Sequence, residues 1–198
     1  MNNPTPDGGS VAVLPAARLV KHAMREGIRA ERLIRAPGRR AADAQGLTAV
    51  ALEQPEIARA RCAAVYASAP SAPGTGPLCQ SLRASGVRVL SAVLLDDGHL
   101  EWSPDDDDAL GPAGIGEADV VIIPALAVDT LGNRLGQGSG FFDRTLQALE
   151  PTVTVFAMVY ESEVLDAAVE PVPAEAHDRP VDAVITPNRC LRLPPRRR

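Results

Sequence analysis

Between residues 16 and 34 apolar side chains return every three to five positions, at Leu19, Ala23, Met24, Ile28 and Leu33, the spacing of one helix face, with Gly27 as a weak point. Lys21, Arg25, Arg29 and Arg32 share the polar side of that helix, and such a row is ordinarily solvated surface. Residues 62–67 are continuously apolar and run into a Ser/Pro/Gly cluster at 68–76, the pattern of a buried strand entering a loop. A helix over 77–84 follows, with Thr75 or Gly76 as its cap and Gly86 as its stop. The β-branched run 87–95 predicts a strand ending at the turn Asp96-Asp97-Gly98, and Leu100 and Trp102 a returning edge strand. Residues 120–124 form the strongest buried strand, closed by Pro124. Beyond the glycine-dense stretch 132–140 the pattern gives a helix over 141–149, a strand over 153–159 and a short strand over 184–186.

Strands alternating with helices predict an α/β fold, an open and largely parallel sheet flanked by helices. The organisation that follows is a flexible lead-in at 1–13, one α/β domain over 14–190 and a basic tail at 191–198. A chain of 198 residues suits a single core, and 45% apolar with 23% charged residues excludes a fibre or a disordered polymer. The longest apolar stretch, 120–128, is nine residues and contains Pro124, too short to span a bilayer as a helix, so no membrane partner is expected. The first twenty residues lack a basic start followed by an apolar run, which makes the cytoplasm the expected location.

Net charge is −5 and no basic stripe accumulates within the body, so no nucleic-acid partner is expected. The run Arg196-Arg197-Arg198 reads as a solvated end, and the four carboxylates at 105–108, beside Pro104, as a solvent-facing loop. Cys62, Cys79 and Cys190 match neither a zinc site nor a disulfide framework and read as buried free thiols. Of the 20 basic residues 19 are arginine, which singles out Lys21, the one lysine.

The candidate chemistry lies in Arg134-Leu-Gly136-Gln-Gly138-Ser-Gly140-Phe-Phe-Asp143-Arg144, which follows a buried strand and enters a helix. Alternate glycines let the backbone turn its N–H groups toward an anion, the helix N-terminus adds donors, and Arg134 and Arg144 flank the cradle. The spacing is not that of a Walker A loop, and Phe141 stands where a dinucleotide fingerprint needs glycine. Asp143, in the first turn of an anion-binding helix, would repel a phosphate unless Mg2+ lay between them; it would otherwise favour the helix terminus electrostatically.

These residues resemble the 5-formyltetrahydrofolate cyclo-ligase family, also called methenyltetrahydrofolate synthetases. Lys21-His-Ala-Met-Arg25 is similar to the family's Lys-x-x-Leu-Arg helix motif and Pro73-Gly-Thr75-x-Pro77-Leu78 to its Pro-Gly-Thr-x-Pro-Leu segment. The stretch from Arg134 to Arg144 resembles Arg-Leu-Gly-x-Gly-x-Gly-Tyr-Tyr-Asp-Arg, with two phenylalanines for the tyrosines. Ala174-Glu175-Ala-His177-Asp178, with Val181-Asp182 and Thr186, resembles the closing element. The resemblance implies a fold of the sugar-phosphate isomerase and CoA transferase kind, and conversion of 5-formyltetrahydrofolate to 5,10-methenyltetrahydrofolate with ATP and Mg2+. Carried over by position, Lys21 and Arg25 contact ATP. Arg134, Leu135, Gly136, Gln137, Gly138, Ser139, Gly140, Phe141 and Phe142 form the nucleotide loop, with Arg144 beside it. Gln137 to Phe141 also approach the folate, Lys21 and Arg134 are the catalytic cations, and Asp143 and Asp182 hold magnesium.

Three positions depart from the family pattern. Ala72 replaces a Glu before Pro-Gly-Thr that binds the pterin, the segment 102–118 is short and lacks a Gly-x-x-Glu-Pro element, and Ser139 stands where some members carry Lys. Two functions stay open on the sequence, an active cyclo-ligase and a non-catalytic or weakly active paralogue that binds nucleotide or folate. A carboxylate such as Glu101 or one at 105–108 filling the pterin pocket would favour the first. His177-Asp178 has too few histidines near it for a metal phosphohydrolase, and no Gly-x-Ser-x-Gly elbow is present. A monomer is expected, with a dimer as the alternative.

Overall fold

A computed structural model describes residues 16–95, 100–104, 109–147, 149–175 and 178–194; the lead-in 1–13, the turn at 96–98, the acidic run at 105–108, His177 and the arginine run at 196–198 lie outside the described residues. Three helices, α1 (Ala16–Ile34), α2 (Pro37–Leu52) and α3 (Pro55–Ala58), precede the first strand, β1 (Cys62–Val65). Then follow α4 (Gly76–Ala84), β2 (Arg88–Leu94), β3 (Leu100–Pro104), a 3-10 turn at Pro112–Glu117, β4 (Val120–Pro124), β5 (Ala127–Asp129) and β6 (Arg134–Leu135). The chain closes with α5 (Phe141–Gln147), β7 (Thr154–Met158), a second 3-10 turn at Glu161–Glu163, β8 (Val164–Leu165), β9 (Ala183–Ile185) and β10 (Cys190–Arg192).

Seven strands form the main sheet in the order β10-β9-β7-β4-β1-β2-β3. The inner pairs are parallel, with Val121 opposite Val155 and Ala64 opposite Val121, while β3 and β10 close the two edges antiparallel. The largely parallel sheet expected from the sequence is therefore present, and its strands are apolar on both faces because both are covered. Val121, Ile123, Val155 and Ala157 point to one face with Trp102, Ile115 and Leu146. Val120, Ile122, Phe156 and Met158 point to the other, against Leu47 and Ala51 of α2 and Leu78 and Leu82 of α4. Each large side chain buried this way contributes about 1.5–3 kcal/mol of transfer free energy.

The hydrophobic pattern gave no element between Ile34 and Cys62, yet α2 occupies most of that stretch. Its buried positions are Asp43, Ala44, Leu47, Thr48 and Ala51, so small and polar residues carry most of the inward face and the helical period is faint. Gly46 explains how closely it packs, since a side-chain carbon there would run into the Pro187 carbonyl. The domain also extends past residue 190. β10 continues to Arg192, whose guanidinium holds both oxygens of Glu56 at 2.7 and 2.8 Å, so the first residues assigned to a basic tail are part of the sheet. Of the cysteines, Cys62 is buried and Cys79 and Cys190 half-buried, and none of the three is in a disulfide.

A second sheet, β6-β5-β8, stands beyond the carboxyl end of β4. Met24 and Ile28 of α1 pack on it against Leu126, Ala127, Leu135 and Val172. That docking turns the basic side of α1 toward the glycine-rich loop.

Candidate functional site

The row on α1 is not solvated surface. Lys21 and Arg32 are buried and Arg25 is half-buried. Arg25 donates from Nε to the Gly136 carbonyl at 2.8 Å, and Arg29 from Nη2 to the Gln137 carbonyl at 2.9 Å. Arg29 also reaches the Gln137 side-chain oxygen at 3.1 Å, a contact that its place in the basic row foreshadowed but no motif marked. Two guanidinium groups thus hold the loop by its backbone. Burial, and then the neighbouring Arg29 charge, push the Arg25 guanidinium below its ordinary value, while Asp143 acts in the opposite direction.

The loop begins from a hairpin that Asp129 organises. This fully buried carboxylate accepts from the N–H groups of Leu131 and Asn133 through Oδ1, and from Asn133 Nδ2 and the Val172 N–H through Oδ2. Left-handed φ values of +104° at Gly138 and +69° at Gly140 then turn the chain into α5, which other residues adopt only under strain. Gly136 has no such φ; its nearest constraint is the Arg134 side chain.

Arg134 and Asp143 form an ion pair through Nη2 and Oδ1. The Arg134 side chain is almost wholly buried, and its Nε, also buried, has no hydrogen-bond partner among the described residues. A donor left in that state costs roughly 1–3 kcal/mol, which a ligand oxygen at the same place would recover. Lys21 Nζ lies 3.3 Å from Glu175 Oε1 and 3.3 Å from Asp178 Oδ2. Asp178 also accepts the Glu175 N–H at 2.9 Å, so the closing element is folded back onto α1.

These groups surround one cavity of about 530 Å³, lined by Arg18, Lys21, His22, Arg25, Arg134, Leu135, Gly136, Gly138, Gly140, Asp143, Glu175 and Asp178. A smaller cavity of about 150 Å³ shares its wall at Arg134 and the glycines and adds Pro124, Gln137, Ser139, Phe141 and Phe142. Arg18 and His22 were not among the residues singled out from the sequence; their positions three before and one after Lys21 on the helix are the signal that could have found them.

Two expected residues are not brought into this cavity. Asp182 accepts the Val155 N–H at 2.8 Å and lines a separate surface hollow with Thr154 and Arg192. Thr154 pairs with Val120, the first residue of β4, whereas Pro124, the last, borders the loop; Asp182 thus lies at the opposite end of the sheet from Asp143. The carboxylates that do share the cavity with Asp143 are Glu175 and Asp178. Arg144 is exposed and turned back, 3.5 Å from the Ser139 carbonyl and 5.5 Å from the Phe141 ring centre, outside both cavity walls.

Ala72 is half-buried against the α2 side of the core, with its carbonyl 3.5 Å from the Tyr160 hydroxyl. The described residues after β3 pack into the core. Trp102 is fully buried, Leu110 donates to the Trp102 carbonyl at 2.9 Å, and Gly114 is pressed against Leu110 and Trp102. Glu101 is half-buried on the edge strand opposite Val93, outside the two cavity walls.

Comparison with known proteins places this arrangement. The model of the 5-formyltetrahydrofolate cyclo-ligase family matches residues 17–187, and the chain belongs to that family. It is 38% identical over 151 residues to the 5-formyltetrahydrofolate cyclo-ligase of Mycolicibacterium smegmatis, covering 66% of this chain and 76% of that protein. It is 31% identical over 154 residues to the enzyme of the same name from Escherichia coli, covering 68% and 82%. Among solved structures, a 5,10-methenyltetrahydrofolate synthetase from Mycoplasma pneumoniae matches with a TM-score of 0.71 at 19% identity, over 84% of this chain and 98% of that one. The Aquifex aeolicus synthetase matches with a TM-score of 0.73 at 19% identity, over 90% and 95%, and both share the fold.

Proposed function

We propose that this protein converts 5-formyltetrahydrofolate to 5,10-methenyltetrahydrofolate with ATP and Mg2+. The observation that carries the reading is the 530 Å³ cavity in which Lys21, Arg25 and Arg134 face Asp143 and Asp178 across a glycine-rich loop. Arginines and a lysine bind phosphate oxygens, and the unpartnered Arg134 Nε is a donor suited to one of them. Asp143 and Asp178 fit Mg2+, a hard cation that takes one or two carboxylates together with phosphates and waters.

Bound magnesium would neutralise charge on the phosphates. The chain's own residues do the rest. Lys21 and Arg134 stabilise negative charge as the formyl oxygen on N5 takes the γ-phosphoryl group and ADP departs. N10 then attacks the activated carbon and loses its proton, phosphate leaves, and the ring closes. Phe141 and Phe142, which line the smaller cavity, supply apolar walls from which water is excluded while the intermediate persists. Arg25 and Arg29 also fix the loop, through the Gly136 and Gln137 carbonyls, and Arg25 lines the cavity beside Lys21.

The test follows methenyl-folate absorbance with 5-formyltetrahydrofolate, ATP and Mg2+. Product formation that requires all three supports the reading. Mg-ATP binding by calorimetry without any turnover would instead mark the chain as a nucleotide-binding paralogue, the outcome that Ala72 in place of an acid would explain.

A further inference from the structure

Arg179, next to Asp178, has no place in the reading above, yet it makes a concentrated set of contacts. Its Nη1 donates to the carbonyls of Leu146 at 2.7 Å and Leu149 at 2.9 Å, and its Nη2 to those of Glu150 at 3.2 Å and Val153 at 3.5 Å. These carbonyls belong to the last turn of α5 and the chain leaving it. The end of a helix leaves carbonyls without intrahelical partners, and a cation there meets the negative end of the helix dipole. A planar guanidinium spreads five donors over a rigid fork and so reaches oxygens spaced along the chain, whereas an ammonium is a compact point charge.

The same short segment is tied down elsewhere. Val181 donates its N–H to the Gly132 carbonyl at 3.0 Å, the Asp182 N–H goes to Val155, and Asp178 meets Lys21 on α1. Gly132 has φ +90°, and a side-chain carbon there would come 2.9 Å from the Val181 carbonyl, so the approach of segment and hairpin is close. α5 carries Asp143 in its first turn, and residue 178 adjoins Arg179. One side chain therefore joins the element that bears one cavity carboxylate to the segment that bears the other.

We propose that Arg179 is a positioning residue that sets the spacing of Asp143 and Asp178, and with it the affinity for the divalent cation. The proposal rests on the metal reading given under Proposed function. Its test is a titration of the full-length protein with Mn2+, followed by electron paramagnetic resonance, with a non-hydrolysable ATP analogue present. Arg179→Gln should weaken Mn2+ binding at least fivefold while metal-free affinity for the analogue stays within twofold of the parent. A Gln variant that loses thermal stability but binds Mn2+ as the parent does would overturn the proposal, because Arg179 would then be a purely structural clamp. Should the Gln variant not fold, Arg179→Lys decides: it keeps the charge without the fork, a loss of threefold or more is expected, and parent-like Mn2+ affinity refutes the idea. Asp143→Asn and Asp178→Asn separate the two layers. If both bind Mn2+ like the parent, the metal reading itself falls and the positioning role falls with it; if both lose Mn2+ and Arg179→Gln does not, only the positioning role is wrong.

Discussion

Two ion pairs on one helix divide α1 into an anchor and a working end. At the anchor, Arg32 meets Glu163 at 2.7 and 2.8 Å, donates also to the Ala125 carbonyl at 2.7 Å, and both side chains are 4% exposed or less. Three turns earlier, Lys21 stands 3.3 Å from each of two carboxylates, and its partners Glu175 and Asp178 are 44% and 19% exposed. The first arrangement satisfies its charges within the protein. The second divides one ammonium between two acids at the edge of a cavity, where phosphate oxygens could take their place. Geometry and solvent, rather than residue type, separate a closed pair from an open one on the same basic row.

The comparison breaks most visibly if the anchor is removed. Arg32→Met strips the Glu163 carboxylate of its buried partner, and leaving such a charge uncompensated costs roughly 3–5 kcal/mol. For a chain of this size each kcal/mol lowers Tm by about 2–4 °C, so calorimetry should show a fall on the order of 10 °C. The double variant Arg32→Met with Glu163→Leu should recover much of that loss. A single-variant loss below about 1 kcal/mol would mean that the pair anchors nothing.

Removing the working end should have the reverse signature. Lys21→Ala is expected to leave Tm within a few degrees of the parent while weakening ATP binding by roughly 1.5–3 kcal/mol, the worth of a charge-assisted contact, or about ten- to a hundredfold. Calorimetry that finds less than a threefold change in nucleotide affinity removes Lys21 from the phosphate site.

What the sequence made legible follows from what each signal depends on. The runs 120–124 and 153–159 announced the parallel sheet because burial on both faces leaves an unbroken apolar run. α2 escaped because Ala44, Thr48 and Ala51 carry its inward side, and small residues give a weak period. The loop from Arg134 to Asp143 was readable since glycine spacing is local. Asp182, expected beside Asp143, stands apart from it, and the reason is topological: residues 178 and 182 are near neighbours in sequence, but the segment between them crosses from the cavity to the far end of the sheet. The inward turn of Arg25, Arg29 and Arg32 was equally invisible to periodicity, because it depends on the second sheet that Met24 and Ile28 pack against.

A smaller effect sharpens the role of the loop that the working end faces. Gly138→Ala places a side chain at φ +104° and 3.5 Å from the Arg25 guanidinium, and strain of that kind costs roughly 1–2 kcal/mol. ATP affinity should fall severalfold, to about tenfold. Gly136→Ala, with no left-handed φ and its nearest neighbour at 3.6 Å, should change affinity less than twofold. Equal losses at both positions would show that conformational freedom is not what the glycines supply.

The smallest expected effect belongs to an ion pair on the surface, which extends the comparison to the exposed limit. Glu161 accepts from Thr186 Oγ1 at 2.6 Å and from Arg189 Nε at 2.8 Å, and the two charged side chains are 40% and 56% exposed. The Thr186 hydrogen bond first, and then the Arg189 contact, hold the Glu161 carboxyl below its ordinary value against a partial desolvation penalty. A carboxyl whose folded pKa lies below its unfolded one binds protons less readily when folded. Its contribution is therefore fully present above the unfolded value of about 4.3 and disappears as pH falls through the lowered folded value. Water screens this pair, so Glu161→Gln should cost only about 0.2–1 kcal/mol at pH 7, against several at Arg32. The Tm difference between variant and parent should shrink steadily below about pH 4. A difference that persists unchanged into acid would mean that the amide's altered hydrogen bonding to Thr186, and not the lost charge, is what the substitution removes.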